Sequence, residues 1–140
     1  MLMTLKQITE LLHLSEPGRR VLVVEDHVPS LQRLIDFWSE AGHDVIGMTG
    51  IDSIDGPIAT GRDIGIDTFA SFDVTGIDVV FMDHYFLSKT YNGATLTREL
   101  SRLSGPKILG MSSDSAANAS MVRAGAVAAV RKSDLLRQMI

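Results

Sequence analysis

The chain contains no cysteine, so disulfides and thiolate zinc sites are excluded from its architecture. It carries no excess of positive charge either. Thirteen basic residues are spread along a sequence of formal net charge −4, which leaves no electrostatic footprint for nucleic acid. No apolar run approaches the length of a membrane span. The stretch from Met1 to Leu14 alternates polar with apolar residues and lacks the unbroken apolar centre of a signal peptide. There are no internal repeats, low-complexity segments or second composition zone, and the glycine spacing matches no phosphate-binding loop. What remains is a 140-residue chain, 45% hydrophobic, of a size that suits one domain with a sizeable core. A cytoplasmic protein is the simplest expectation.

Four apolar runs each end on a polar signature. Val21-Leu22-Val23-Val24 is followed by Glu25-Asp26, and Val79-Val80-Phe81-Met82 by Asp83. Ile108-Leu109-Gly110-Met111 is followed by Ser112, and Val127-Ala128-Ala129-Val130 leads through Arg131 to Lys132. Short runs of this kind, separated by helical patterns, read as buried parallel strands of an α/β sheet. The carboxyl ends of such strands share one edge, where ligands bind. Three carboxylates, a hydroxyl and an ammonium are therefore expected in one pocket. Carboxylates about 5 Å apart repel by roughly 3 kcal/mol per pair at an effective dielectric near 20, so the trio calls for a divalent cation. An all-oxygen donor set favours Mg²⁺. A carboxylate beside Mg²⁺ is placed to attack phosphorus, while the hydroxyl and ammonium neutralise phosphoryl oxygens. Taken singly, each of these residues would be an ordinary strand-end cap or turn former.

In this order and strand context the motifs resemble those of the response-regulator receiver family of two-component signalling, in its chemotaxis-regulator form. The likeness covers residues 19 to 140, through Val-Leu-Val-Val-Glu-Asp-His, Asp-Val-Val-Phe-Met-Asp, Ile-Leu-Gly-Met-Ser-Ser-Asp and Ala-Gly-Ala-Val-Ala-Ala-Val-Arg-Lys. It implies a flavodoxin-like five-stranded parallel sheet of order 2-1-3-4-5 with helices on both faces. Residues 1 to 18 then form an N-terminal helical extension. By the same resemblance Asp83 is the phosphoacceptor, Glu25 and Asp26 are the acidic metal pair, and the Tyr85 carbonyl is a further metal ligand. Ser112 is the switch hydroxyl and Lys132 the phosphate-contacting lysine. Implied with them are Mg²⁺, a sensor histidine kinase as phosphodonor in a phosphorelay, and a downstream protein partner that the sequence does not name. No membrane and no nucleic acid is implied, and monomer or homodimer is left open. The protein would be a stand-alone signalling domain that catalyses its own phosphorylation and dephosphorylation rather than an enzyme.

Departures from the family pattern keep two other readings in play. Leu87 stands where a proline is expected after the phosphoacceptor, Gly93 comes late, Ala129 replaces a strand aromatic and Ser133 replaces the proline after the lysine. These favour a pseudo-receiver that docks or dimerises without phosphorylation. An aspartate-nucleophile phosphatase ranks third, because Tyr85 occupies the place of its second aspartate.

Further along, Thr4 is a candidate cap for a short helix carrying Leu5, Ile8, Leu11 and Leu12. Leu31, Leu34, Ile35 and Trp38 fall on one face of a helix over Val28 to Ala41, and Asp44 to Met48 is the second strand. Residues 51 to 67 read as an inserted loop, with a short helix near Phe69 to Phe72 after it. Helices are expected from Gly93, over Ala116 to Ala124, and from Ser133 to Ile140. The front helix is expected to cover the sheet face that this short last helix leaves bare, within its own chain or across a dimer, the alternative being a loose extension. His27 and His84 each follow a pocket carboxylate but should point across the pleat rather than into a metal site. His43 is expected to be exposed.

Overall fold

The computed structural model describes residues 3–65, 68–86, 88, 90–103 and 105–139. Readings that rest on Met1, Leu2, Asp67, Leu87, Lys89 or Ile140 lie outside them. Helix α1 spans Leu5–Leu11 and is followed by strand β1, Arg20–Val24, and helix α2, Val28–Glu40. Strands β2 (Asp44–Asp55), β3 (Ile58–Asp63) and β4 (Thr68–Asp73) come next, then a 3-10 turn at Val74–Gly76. After it the chain alternates: β5 (Val79–Met82), α3 (Gly93–Arg102), β6 (Lys107–Gly110), α4 (Ser115–Ala124), β7 (Ala128–Ala129) and α5 (Lys132–Arg137).

Helices α1 to α4 begin where polar side chains satisfy the first free amides, whereas α5 starts after Arg131 without a side-chain cap. Thr4 accepts from Gln7 N while Gln7 reaches back to Thr4 N, and Asn92 and Thr95 make the same reciprocal pair at α3. His27 caps α2 through Nδ1, with Pro29 in the first turn, and Asp114 caps α4. His27 is thereby used in a helix cap rather than in the pocket.

The strands form one sheet of order β4-β3-β2-β1-β5-β6-β7. Pairings of β2, β1, β5, β6 and β7 are all parallel, which preserves the expected five-strand order as the centre of a seven-stranded sheet. The addition is an antiparallel hairpin, and it corrects two expectations. Residues 51 to 63 of the expected loop are a hairpin instead: β2 runs on to Asp55, and β3 pairs back against it. Phe69 to Phe72 is not helical but lies within β4. The reason is turn chemistry. Gly56-Pro57 makes a two-residue reversal between the paired Asp55 and Ile58, with Gly56 at φ 59°, a conformation that costs glycine little, and the flanking residues alternate in burial with the period of a strand.

Register shifts at Met48/Gly50 and Ile51/Ser53 bend β2. Beyond the bend, Ile51, Ala59 and, after β4, Val74 join Leu22, Val80, Ile108, Leu96, Leu100 and Met121 in one apolar cluster. The hairpin therefore helps α3 and α4 cover this face. Val21, Val23, Val79, Phe81 and Leu109 point to the other face, where α1, α2 and α5 pack. Ile8, Leu12 and Leu14 are buried there beside Leu135, so the N-terminal helix forms part of the core. The end of α5 meets the start of α1: Leu5 N donates to Gln138 Oε1 at 2.7 Å, and Gln138 Nε2 donates to the Met3 carbonyl at 3.3 Å. At its far end α1 is closed by Lys107, whose Nζ donates to the Leu11 carbonyl at 3.0 Å. Two short helices from opposite ends of the sequence thus share one face of the sheet.

His43 corrects a third expectation. It is buried, accepting from Arg19 N through Nδ1 at 3.2 Å, with Nε2 3.0 Å from the Leu14 carbonyl. Its two ring nitrogens tie the connection after α1 to the turn before β2, which is why it is not in solvent.

Candidate functional site

Parallel strands place their carboxyl ends together, and the backbone ladder continues one residue past each strand. Glu25 N donates to the Met48 carbonyl and Asp83 N to the Val24 carbonyl, both at 3.0 Å, so these residues leave the sheet in register. The ligand oxygens of Glu25, Asp26 and Asp83 all lie within 4.8 Å of one another. Glu25 and Asp83 are buried and Asp26 is exposed, giving the cluster a floor and an open side.

Lys132 opens α5 and sends its ammonium into this cluster. Its Nζ is 2.5 Å from Glu25 Oε1 and 3.2 Å from Asp83 Oδ2. The Asp83 contact is an aligned hydrogen bond. The Glu25 contact is an ion pair without hydrogen-bond alignment, and Glu25 Oε1 is otherwise a buried oxygen with no donor. Burial first, and the Asp83 carboxylate second, push the Glu25 carboxyl up to about 8 against the opposing pull of Lys132. Burial pulls the Lys132 ammonium down, but the two carboxylates outweigh it and the group is raised.

The remaining pocket residues are set by the loops. Asp83 Oδ1 accepts from His84 N at 2.8 Å, and the His84 ring turns away to accept from Ala94 N at 3.3 Å at the start of α3. Gly93 makes that approach feasible, since a Cβ there would collide with the Asp83 carbonyl oxygen and stand 2.6 Å from the His84 Cα. Tyr85 is 60% exposed, with its ring edge-on to His84 and its hydroxyl donating to Asp114 Oδ2 at 3.1 Å. It spans the β5–α3 and β6–α4 loops, while Phe86 packs against the core beneath. Ser112 is buried at the same sheet edge, its Oγ accepting from Asp114 N at 3.1 Å.

The structure thus gathers Glu25, Asp26, Asp83 and Lys132 into direct contact or ligand distance, with Ser112 on the adjoining loop. It also brings in Asn118, which the sequence reading passed over. This buried residue of α4 bonds the backbone of Ser112 and of Val130. The available signal was a polar amide at a core position of a helix, in step with Met121 and Ala124.

The donor set fits a hard divalent cation. Three carboxylate oxygens converge, one of them on a buried acid that resists ionisation, and among the described residues no nitrogen or sulfur ligand joins them. Glu25, Asp26 and Asp83 could hold such an ion.

No protein-family profile matches the chain, and no curated protein does. Solved structures match across most of its length. A CheY-like response regulator receiver domain protein from Methanospirillum hungatei has a TM-score of 0.59 at 17% identity, covering 87% of this chain and 90% of that one. A response regulator receiver domain protein from Clostridium thermocellum gives 0.56 at 22% identity, covering 86% and 90%. A chain of the CheX-CheY-BeF3-Mg+2 complex from Borrelia burgdorferi gives 0.57 at 15% identity, covering 87% of each. With the central strand order, these likenesses show that the chain has the fold of a response-regulator receiver domain.

Proposed function

We propose that this protein is a response regulator that accepts a phosphoryl group on Asp83, with Mg²⁺ held by Glu25, Asp26, Asp83 and the Tyr85 carbonyl. The observation that carries the reading is the convergence of three carboxylates with the Lys132 ammonium at the carboxyl edge of a parallel sheet. The donor would be the phosphohistidine of a cytoplasmic sensor kinase. One Asp83 oxygen attacks phosphorus, the new O–P bond forms as the P–N bond breaks, and the electron pair leaves with the imidazole, which takes up a proton. Lys132 and the Ser112 hydroxyl bind the transferred phosphoryl oxygens, and the bound cation would neutralise charge on them. Phosphorylation replaces the single charge of the Asp83 carboxylate by a larger phosphoryl group of roughly −1.5 to −2, and this shifts the balance between two arrangements of the adjoining loops, which a downstream protein partner reads.

A pseudo-receiver that docks or dimerises without phosphorylation is the second reading, favoured by Ala129 in the place of the family's strand aromatic within a strand of only two residues. Intact mass separates the two. Wild type incubated with Mg²⁺ and acetyl phosphate should gain one phosphoryl group, while Asp83→Ala gains none. No gain by wild type, beside a receiver that is modified under the same conditions, would leave the pseudo-receiver standing, and sizing of the same samples would then test dimerisation.

A further inference from the structure

The strand that delivers Lys132 is the weakest in the sheet. β7 has two residues, pairs only with Leu109 and Gly110 of β6, and its ladder ends with Val130 N donating to the Gly110 carbonyl at 2.9 Å. The next bond outward, from Lys132 N to the Ser112 carbonyl, is stretched to 3.4 Å. Regular pairing therefore stops just before the two residues whose side chains serve the phosphoryl site.

Asn118 fills that gap. Its Oδ1 accepts from Ser112 N at 2.8 Å, and its Nδ2 donates to the Ser112 carbonyl at 3.0 Å and to the Val130 carbonyl at 3.1 Å. The amide orientation is forced, because turning it over would face Nδ2 to an N–H and Oδ1 to two carbonyls. A side-chain amide that takes both the N–H and the C=O of one residue and the C=O of a second acts as a rung of sheet supplied from α4. Lys132 lies two residues beyond Val130, and Ser112 is bonded directly. The pocket acids follow β1 and β5, and none of the three Asn118 bonds runs to either strand.

We infer that Asn118 is a positioning residue for phosphoryl transfer, clamping the Ser112 and Lys132 loops to each other so that hydroxyl and ammonium stand together opposite Asp83. The inference rests on the receiver reading above. It separates two functions of the pocket, since cation binding is set by β1 and β5 and phosphoryl contact by the clamped loops.

The test is the rate of phosphorylation of the full chain by acetyl phosphate, with Mg²⁺ affinity measured by calorimetry. Asn118→Ala should slow the rate on the order of tenfold to a hundredfold, the scale of a misplacement near one ångström, while Mg²⁺ affinity stays within about twofold. Added to the Ser112→Ala, Lys132→Ala double variant it should slow nothing further, because the groups it positions are gone. A residue that merely holds the fold would slow both backgrounds equally and weaken Mg²⁺ binding, and that result overturns the inference. An unchanged rate in Asn118→Ala, with wild type modified, overturns the positioning role alone. Failure of wild type itself to be modified overturns the receiver reading and this role with it. Should Asn118→Ala not fold, Asn118→Asp keeps the volume and the acceptor but loses both donated bonds, and should still be slowed. Hydrogen exchange on wild type reads the clamp directly: a Ser112 amide that exchanges as fast as the exposed Ser113 amide overturns it.

Discussion

Glu25 shows how far a tertiary setting can move one residue. Its carboxyl is fully buried, faces Asp83, and holds its proton up to about 8 rather than the ordinary 4.5. A group whose pKa is raised by folding binds protons better in the folded chain than in the unfolded one. Its contribution to stability is thus fully present below about 4.5 and is lost as pH rises through about 8. In chelator, Glu25→Gln should therefore gain on wild type in melting temperature between about pH 5 and about pH 9, because the amide stays neutral throughout. A gap that does not change with pH would mean the carboxyl is not held neutral. Excess Mg²⁺ should close the gap at the alkaline end by replacing the missing counter-charge. The sequence pointed to Glu25 by its strand-end position but could not report its depth. Neither could it report that His43 is enclosed, because that depends on the Arg19 amide and the Leu14 carbonyl folding against it.

At the scale of elements, α1 and α5 each have too few residues to cover a sheet face, and they do so jointly. Ile8 and Leu135 are both fully buried in the same cluster, and Gln138 at the end of α5 caps the start of α1. Ile8→Ala should cost about 2–5 kcal/mol in urea unfolding, the range for a buried aliphatic truncation in a packed core. A cost near zero would mean that α1 lifts off in solution. Removing residues 1 to 16 should lower the melting temperature, since the cluster on that face loses the buried Ile8, Leu12 and Leu14. Both helices were legible as apolar stripes. Their adjacency was not, since nothing local in either segment refers to the other end of the chain. The hairpin was misread for a different reason: Gly56 in the first place of a two-residue turn and the alternation in Thr68-Phe69-Ala70-Ser71-Phe72-Asp73 are its signals, but the proline beside it and several glycines nearby carry equal weight as loop formers.

For the whole molecule, the two apolar clusters lie on opposite faces of the same strands, β1, β5 and β6, so neither can be lost without exposing the backs of residues that serve the other. Unfolding should accordingly be a single transition. Trp38, the one tryptophan, stacks on Phe81 at 5.4 Å and reports the α1/α2/α5 face, whereas circular dichroism weighs all elements. The urea midpoints from the two signals should coincide. An earlier dichroism step with no change at Trp38 would show that the β3–β4 hairpin opens separately from the central sheet. Among the described residues no helix is long and apolar enough to cross a membrane, in keeping with clusters that are internal to one packed sheet.

The sequence by itself determined what is local. Apolar runs made the strands of the central sheet, capping side chains began helices α1 to α4, and the residues following the strands fell at the carboxyl edge because parallel strands share that edge. Glu25, Asp26, Asp83, Ser112 and Lys132 could therefore be named before any coordinates. Tertiary structure alone decided what depends on partners brought together by the fold: the hairpin that widens the sheet, the pairing of α1 with α5, the burial of His43, and the Asn118 clamp between the loops at Ser112 and Val130. Those contacts satisfy buried polar groups or apolar faces that have no partner nearby, and a partner that lies elsewhere in the chain exists only once the chain has folded.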